Sequence, residues 1–266
     1  MTESNHEFIR NYELETWTRC SDNYQETFGM LTDQMIPELI KSANISVGTQ
    51  VLDIGCGPGN SSKILSDTGA IVTGIDFSQK MIDIAKTNYP KITFKQADAE
   101  NILENDNTFD AVIANYVVHH LPNPIKVFLE ISRVLKPNGK FAFVVWGPKE
   151  EQSSIGAFIQ AFSAHHEPSE LPHGPLYGVT DFDTFQTLIE KGGLTNFKLS
   201  NHKTFWQCKT LNPVIDGLWT WGNLAAFSQK KQDKIKEDMI ENCKPFAING
   251  GFSFPHSAIL GCAIKK

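Results

Sequence analysis

Two periodicities divide this chain. Short apolar runs, bounded by glycine, proline, asparagine and aspartate, alternate with stretches in which apolar positions recur every three or four residues. The runs at 50–55, 70–76, 91–96, 109–115 and 140–146 read as β-strands. Between them, a helix over 60–67 is stopped by Gly69, and a second is capped by Ser78 and carries Met81, Ile82 and Ala85 on its inner face. A third presents Ile125, Phe128, Leu129 and Leu135 and ends at the Lys136-Pro137-Asn138-Gly139 stop signal. Strand–helix alternation of this kind predicts an α/β fold, doubly wound, with a mostly parallel sheet covered on both faces.

The regular pattern is interrupted three times. Ahead of the first strand, Trp17, Tyr24, Phe28, Leu31, Met35 and Leu39 recur at near-helical intervals, divided by Pro37, while residues 1–11 are polar and read as loosely attached. From 147 to 179 glycines, prolines and histidines surround one apolar piece at 155–162, an insertion outside the sheet. Alternation resumes with a helix over 181–191, stopped by Gly192 and Gly193, and a strand near 197–205. A second insertion over 212–245 reads as an aromatic helix through Leu218, Trp219 and Leu224, then a charged one whose Lys234 and Asp238 suit a solvated i,i+4 pair. A final strand covers 254–264, making seven. The expected organisation is one domain over 1–266, with a helical cover at 12–44, a core at 45–147, and insertions at 148–179 and 212–246 that cover one side of it.

Composition narrows the class. The 266 residues, 41% hydrophobic and 20% charged, can bury a sizeable core, and a net charge of −6 offers no basic field for a phosphate backbone, so no nucleic-acid partner is expected. Five cysteines, odd in number and without a C-x-x-C pair, argue for reduced thiols. No apolar run is long enough for a membrane span, and the first residues do not resemble a secretory signal, so a cytoplasmic location is expected.

The chemistry concentrates at Val51-Leu52-Asp53-Ile54-Gly55-Cys56-Gly57-Pro58-Gly59-Asn60. A buried strand that runs into three glycines lets backbone amides approach a small ligand closely. The spacing departs from the dinucleotide fingerprint, with Asn60 in the last glycine's place, which counts against a nicotinamide or flavin. Asp53, Gly55, Gly57 and Gly59 instead match D-x-G-x-G-x-G, and the chain resembles the class I S-adenosylmethionine (SAM) dependent methyltransferases. The stretch 109–122 and the sequence from Ser132 to Lys140 are similar to the small-molecule group that includes the ubiquinone and menaquinone methyltransferases, without the N-terminal signature of the quinone enzymes.

The resemblance implies a Rossmann-like sheet of seven strands with the last antiparallel, SAM as cofactor, and a small methyl acceptor. It places Asp53 near the methionyl ammonium, with Cys56 and Asn60 in the same turn, and Asp76 on the ribose hydroxyls. A carboxylate suits that task because it can accept a hydrogen bond from each hydroxyl. Phe77 and Met81 fall beside the adenine, Asp98 and Ala99 at its edge, and Asn115 at the methionine end. It also implies that the N-terminal helices close the pocket.

Methyl transfer from a sulfonium is mainly a matter of alignment, so a base matters only when the acceptor must lose a proton. His119 is the first choice for such a base and His120 the second, against a plain packing role for both. Tyr116, Trp146, Trp17, Tyr24 and Trp219 are candidates for the acceptor wall, with core packing as the competing reading. His165, His166 and His173, with Glu167 and Glu170, match no metal spacing. Three other functions stay open: a SAM-binding module with regulatory or altered chemistry, a methyltransferase acting on tRNA or protein, and a nicotinamide dehydrogenase.

Overall fold

The computed structural model describes residues 3–166 and 172–266. Its sheet runs β3-β2-β1-β4-β5-β8-β6, from β1 (Gln50–Ile54), β2 (Ile71–Asp76), β3 (Thr93–Gln96), β4 (Phe109–Asn115), β5 (Leu135–Trp146), β6 (Leu194–Cys208) and β8 (Gly251–Lys265). Every pairing from β3 to β5 is parallel, and β8 lies antiparallel between β5 and β6. The seven-strand path with its last strand antiparallel matches the expectation; a two-residue strand, β7 (Ala247–Ile248), adds a short pairing to the start of β8.

Central strands are apolar on both faces because helices cover both. In β4 and β5 successive residues face opposite layers: Val112, Phe141 and Phe143 join one core, Ala111, Ile113, Ala142 and Val144 the other. The first core is completed by α6 (Pro124–Val134) and α8 (Phe182–Lys191), through Phe128, Ile131, Phe185 and Ile189. The second is completed by α3 (Ile36–Ala43) and α4 (Asn60–Asp67), through Leu39 and Leu65. The helix α5 (Gln79–Asn88) starts as expected, with Ser78 Oγ accepting from the Met81 amide at 3.4 Å.

A third apolar cluster lies above the carboxyl ends of the strands. It draws Phe28 and Leu31 from the N-terminal segment, Phe158 from α7 (Ser153–Ser163), Leu218 from α9 (Asn212–Trp221), and Met239 from α10 (Gln229–Cys243), onto Trp206 and Phe254 of the sheet. The N-terminal segment and both insertions therefore share one core, which makes a cap of three sequence-distant pieces. Arg19 fastens it by donating from Nε to Thr220 O at 2.8 Å and from Nη2 to Trp221 O at 3.1 Å, satisfying carbonyls at the end of α9.

Several local expectations are corrected. From Glu3 onward the first residues are not loose: α1 spans Glu3–Cys20 and buries Ile9 to 2% exposure. Pro37 does divide the N-terminal segment as expected, standing in the first turn of α3, where a missing amide costs nothing. The inner face of α6 is Val127, Phe128, Ile131 and Val134, and Leu129 is exposed; Leu135 belongs to β5, and the stop signal becomes a shift of register between β4 and β5. On α10, Asp238 pairs with His165 Nε2 at 2.7 Å across to the first insertion, because Ile235 and Met239 are buried and turn that helix toward the cap.

Candidate functional site

The order 3-2-1-4-5 reverses between β1 and β4, and crevices form beside the carboxyl ends of strands at such a switch. One cavity opens there. The sheet contributes Ile54 and Gly55 after β1, Ile75, Asp76 and Phe77 after β2, Ala97, Asp98 and Ala99 after β3, and Asn115, Tyr116 and Val117 after β4. From the other side α1 and the segment after it supply Arg10, Glu13, Trp17 and Tyr24, and His120 closes the rim.

The turn from β1 to α4 is shaped by its glycines. Gly55, Gly57 and Gly59 all have positive φ, and a Cβ on Gly59 would lie 2.9 Å from both Phe94 and Tyr89, whereas the space beside Gly57 is open. That open side borders the cavity, where the Gly57 amide donates to Asp76 Oδ2 at 3.0 Å. Asp76 Oδ1 accepts from the Ser78 amide at 2.8 Å, so backbone amides fix the carboxylate across the mouth of the turn.

Asp53 lies deeper. Its Oδ2 accepts from Ser61 and Ser62 hydroxyls at 2.6 Å each, while Oδ1 is buried without a partner. Burial pushes both Asp53 and Asp76 up to about 6, since removal from water penalises the charged form. Asn115 donates from Nδ2 to Thr32 O at 3.0 Å and leaves a buried Oδ1 unpaired. Two unpaired buried acceptors at the ends of adjacent strands fit a ligand that brings hydrogen-bond donors and positive charge, as the ammonium and hydroxyls of SAM do. Asp98 closes the opposite end, with Oδ1 accepting from the Glu100 amide at 2.9 Å and Oδ2 paired with Arg10 of α1.

The acceptor candidates separate into two groups. Trp17, Tyr24, Tyr116 and His120 line the cavity; Trp146 and Trp219 do not. Trp146 packs on Tyr116 with ring centroids 4.2 Å apart, and Trp219 packs against the cap cluster. Tyr116 itself has a φ of 57, a left-handed conformation at the end of β4 that is uncommon for a large side chain.

The two histidines differ in setting. His119 is 2% exposed, lies outside the cavity lining and has no hydrogen bond on either ring nitrogen. Burial, with His120 beside it, holds its proton affinity well below the ordinary histidine range. His120 packs on His119 at 4.0 Å and edge-on to Trp17 at 5.1 Å, and its Nδ1 meets Glu13 Oε1 at 3.0 Å. The first choice of base is thus shut away and the second lines the cavity.

Cys56, Gly59 and Asn60 shape the turn without lining the cavity: Cys56 packs with Ile82, Ala85 and Phe94, and Asn60 Oδ1 accepts from the Tyr89 hydroxyl at 3.3 Å. Arg10 and Glu13 are site residues that sequence reasoning missed. Their signal in the sequence is the 10, 13, 17 spacing, one face of a helix, obscured by the polar composition of the first residues. Glu167 and Glu170 lie outside the described residues; His165 pairs with Asp238, and His166 Nδ1 lies 2.9 Å from Lys231 Nζ. Among the described residues no helix is long and apolar enough to cross a membrane.

Parts of the chain are similar to known methyltransferases. Residues 52–143 match the family model described as a methyltransferase domain. Over 179 residues the chain is 28% identical to the methyltransferase GfsG of Streptomyces halstedii, which covers 64% of this chain and 61% of the relative. Over 100 residues it is 35% identical to a ubiquinone biosynthesis O-methyltransferase of Coxiella burnetii, covering 36% of this chain and 43% of the relative. The matched regions are thus less than two thirds of either relative's length. The solved structure of the YcgJ protein from Bacillus subtilis is similar in fold, with a TM-score of 0.59 at 22% identity, over 88% of this chain and 99% of that one. Residues 52–143, which run from β1 into β5 and include the glycine turn, thus match a methyltransferase domain.

Proposed function

We propose that the chain transfers a methyl group from SAM to a small, partly aromatic or apolar acceptor. The observation that carries this reading is the single cavity in which an acid beside the glycine turn, an acid after β3 and Asn115 share space with Trp17, Tyr24 and Tyr116. In this reading Asp76 takes the ribose hydroxyls, Phe77 and Met81 flank the adenine, Asp98 and the Ala99 amide face its edge, and Asp53 and Asn115 hold the methionine end. SAM supplies a methyl group already activated by a positive sulfur. What the protein adds is alignment, through the fixed carboxylates below, and exclusion of water, through α1 and the aromatic cap above. Reduced, largely buried cysteines support a cytoplasmic setting.

Apolar and aromatic walls in the cavity favour an acceptor with a flat or greasy body. The test is calorimetry with SAM and with S-adenosylhomocysteine, followed by incubation with labelled SAM and a metabolite pool. Binding plus one labelled small product is the expected result. Binding without any labelled product turns the reading to a SAM-binding module, and label in RNA or protein turns it to a macromolecular acceptor.

A further inference from the structure

One face of α1 crosses the whole cavity. Arg10 reaches Asp98 at the adenine end, and one turn later Glu13 reaches His120, with Trp17 beside it. Glu13 is only 7% exposed and is held from two sides: Oε2 accepts from Trp17 Nε1 at 3.0 Å, and Oε1 lies 3.0 Å from His120 Nδ1. A nearly buried carboxylate requires donors, and a ring nitrogen facing it is stable only as N–H. His120 is therefore protonated on Nδ1, and Nε2, which has no hydrogen bond among the described residues, is the nitrogen left to accept a proton. A solvated glutamate at a helix surface would do none of this. The alternative, a pair that only pins α1 to the sheet, predicts no preference for the atom methylated.

We propose, resting on the methyl-transfer reading above, that Glu13 is a positioning residue that fixes the tautomer of His120, and that the acceptor is a hydroxyl compound methylated on oxygen. In the step this implies, the acceptor oxygen forms its bond to the methyl carbon of SAM as the carbon–sulfur bond breaks. The bonding pair passes to sulfur, leaving neutral S-adenosylhomocysteine. The hydroxyl proton passes to His120 Nε2, and the resulting imidazolium faces the Glu13 carboxylate, which balances its charge. A thiol is partly ionised near neutrality and gains less from such a base, and an alkylamine would end as a cationic product beside the imidazolium, whereas a hydroxyl ends as a neutral ether. The base is assembled from two distant segments, since Glu13 arrives with α1 and His120 with the turn after β4, so docking of α1 both covers the site and arms it.

The test reads the ring directly. In the full chain labelled with nitrogen-15, the His120 imidazole is assigned by its loss in His120→Asn, at a pH where the ring is neutral. Protonation on Nδ1 in the wild type, replaced by the Nε2–H form in Glu13→Ala, is the expected result. An Nε2–H ring in the wild type, or a tautomer that ignores Glu13→Ala, overturns the positioning role; the wild-type reading decides even where Glu13→Ala fails to fold. Mass analysis of the labelled product gives the acceptor class, with O-methylation expected and methylation at any other atom overturning it. His120→Asn should lower kcat by about 100-fold or more, and Glu13→Ala by about tenfold at nearly unchanged KM. Calorimetry with S-adenosylhomocysteine separates the failures: retained binding with the wrong tautomer or product sinks this inference alone, whereas absent binding sinks the methyl-transfer reading.

Discussion

Asp53 is a residue whose chemistry and stability pull in opposite directions. Burial pushes its carboxyl up to about 6, because removal from water penalises the charge more than two serine hydroxyls favour it. The native state therefore binds more protons than the unfolded state between about pH 4 and 6, so this residue's contribution to stability is full below pH 4 and is lost as pH rises through 6. Asp53→Asn keeps an oxygen for Ser61 and Ser62 and removes the buried charge. We expect this variant to be more stable than the wild type at pH 7 by on the order of 1–3 kcal/mol, with the gap closing below pH 4. Denaturant melts at the two pH values measure this. The same variant should bind SAM at least about tenfold more weakly, because an amide N–H then stands where the ligand's ammonium needs an acceptor. Asp76 also titrates at about 6. Cofactor binding, which favours both acids ionised, should thus release protons when it is measured near pH 5.5, as calorimetry in buffers of different ionisation enthalpy would register.

At the scale of elements, the turn from β1 to α4 separates packing from ligand approach. Gly59 has a φ of 93 and no room for a Cβ between Phe94 and Tyr89, while Gly57 has a φ of 53 and open space toward the cavity. Gly59→Ala should cost about 2–4 kcal/mol from strain and overpacking together, and Gly57→Ala about 1 kcal/mol from strain alone. Affinity should show the reverse order once each variant is folded, with Gly57→Ala the more damaging, because its methyl group enters the ligand's space. Thermal melts paired with calorimetry check both orders. This turn was legible in the sequence because its glycines report a local conformation, and the same holds for Ser78, the cap of α5. The segment 136–139 was legible only in part. Proline, asparagine and glycine stop a helix wherever they stand, but joining β5 beside β4 depends on pairing Leu135 with Phe109 and Lys140 with Ala111, 26 and 29 residues earlier in the chain.

For the whole molecule, the mostly parallel sheet and the acids at its strand ends follow from alternation and spacing, whereas the strand order and the cap do not, since Phe28, Phe158, Leu218 and Met239 meet only through tertiary packing. Arg10 and Glu13 are hidden for the same reason: α1 has a weak apolar face of its own and is held by the Arg10–Asp98 ion pair, by the Glu13–His120 contact and by Ser78, which lies 3.0 Å from Thr18 Oγ1. A helix held in this way gives the ligand a means of stabilising the protein beyond its direct contacts, because a molecule seated between the sheet and α1 tightens both walls. S-adenosylhomocysteine at about 100 times its Kd stabilises the native state by about 2.7 kcal/mol, which for a chain of this size raises Tm by roughly 5–10 °C. NAD at the same concentration should leave Tm unchanged, since Asn60 replaces the last glycine of the dinucleotide turn. Hydrogen exchange locates the effect: amides of α1 should slow with S-adenosylhomocysteine and not with NAD, while the far edge at β6 should exchange at the same rate in both. Protection confined to the sheet, with α1 exchanging freely, would mean that the helix does not close over the ligand.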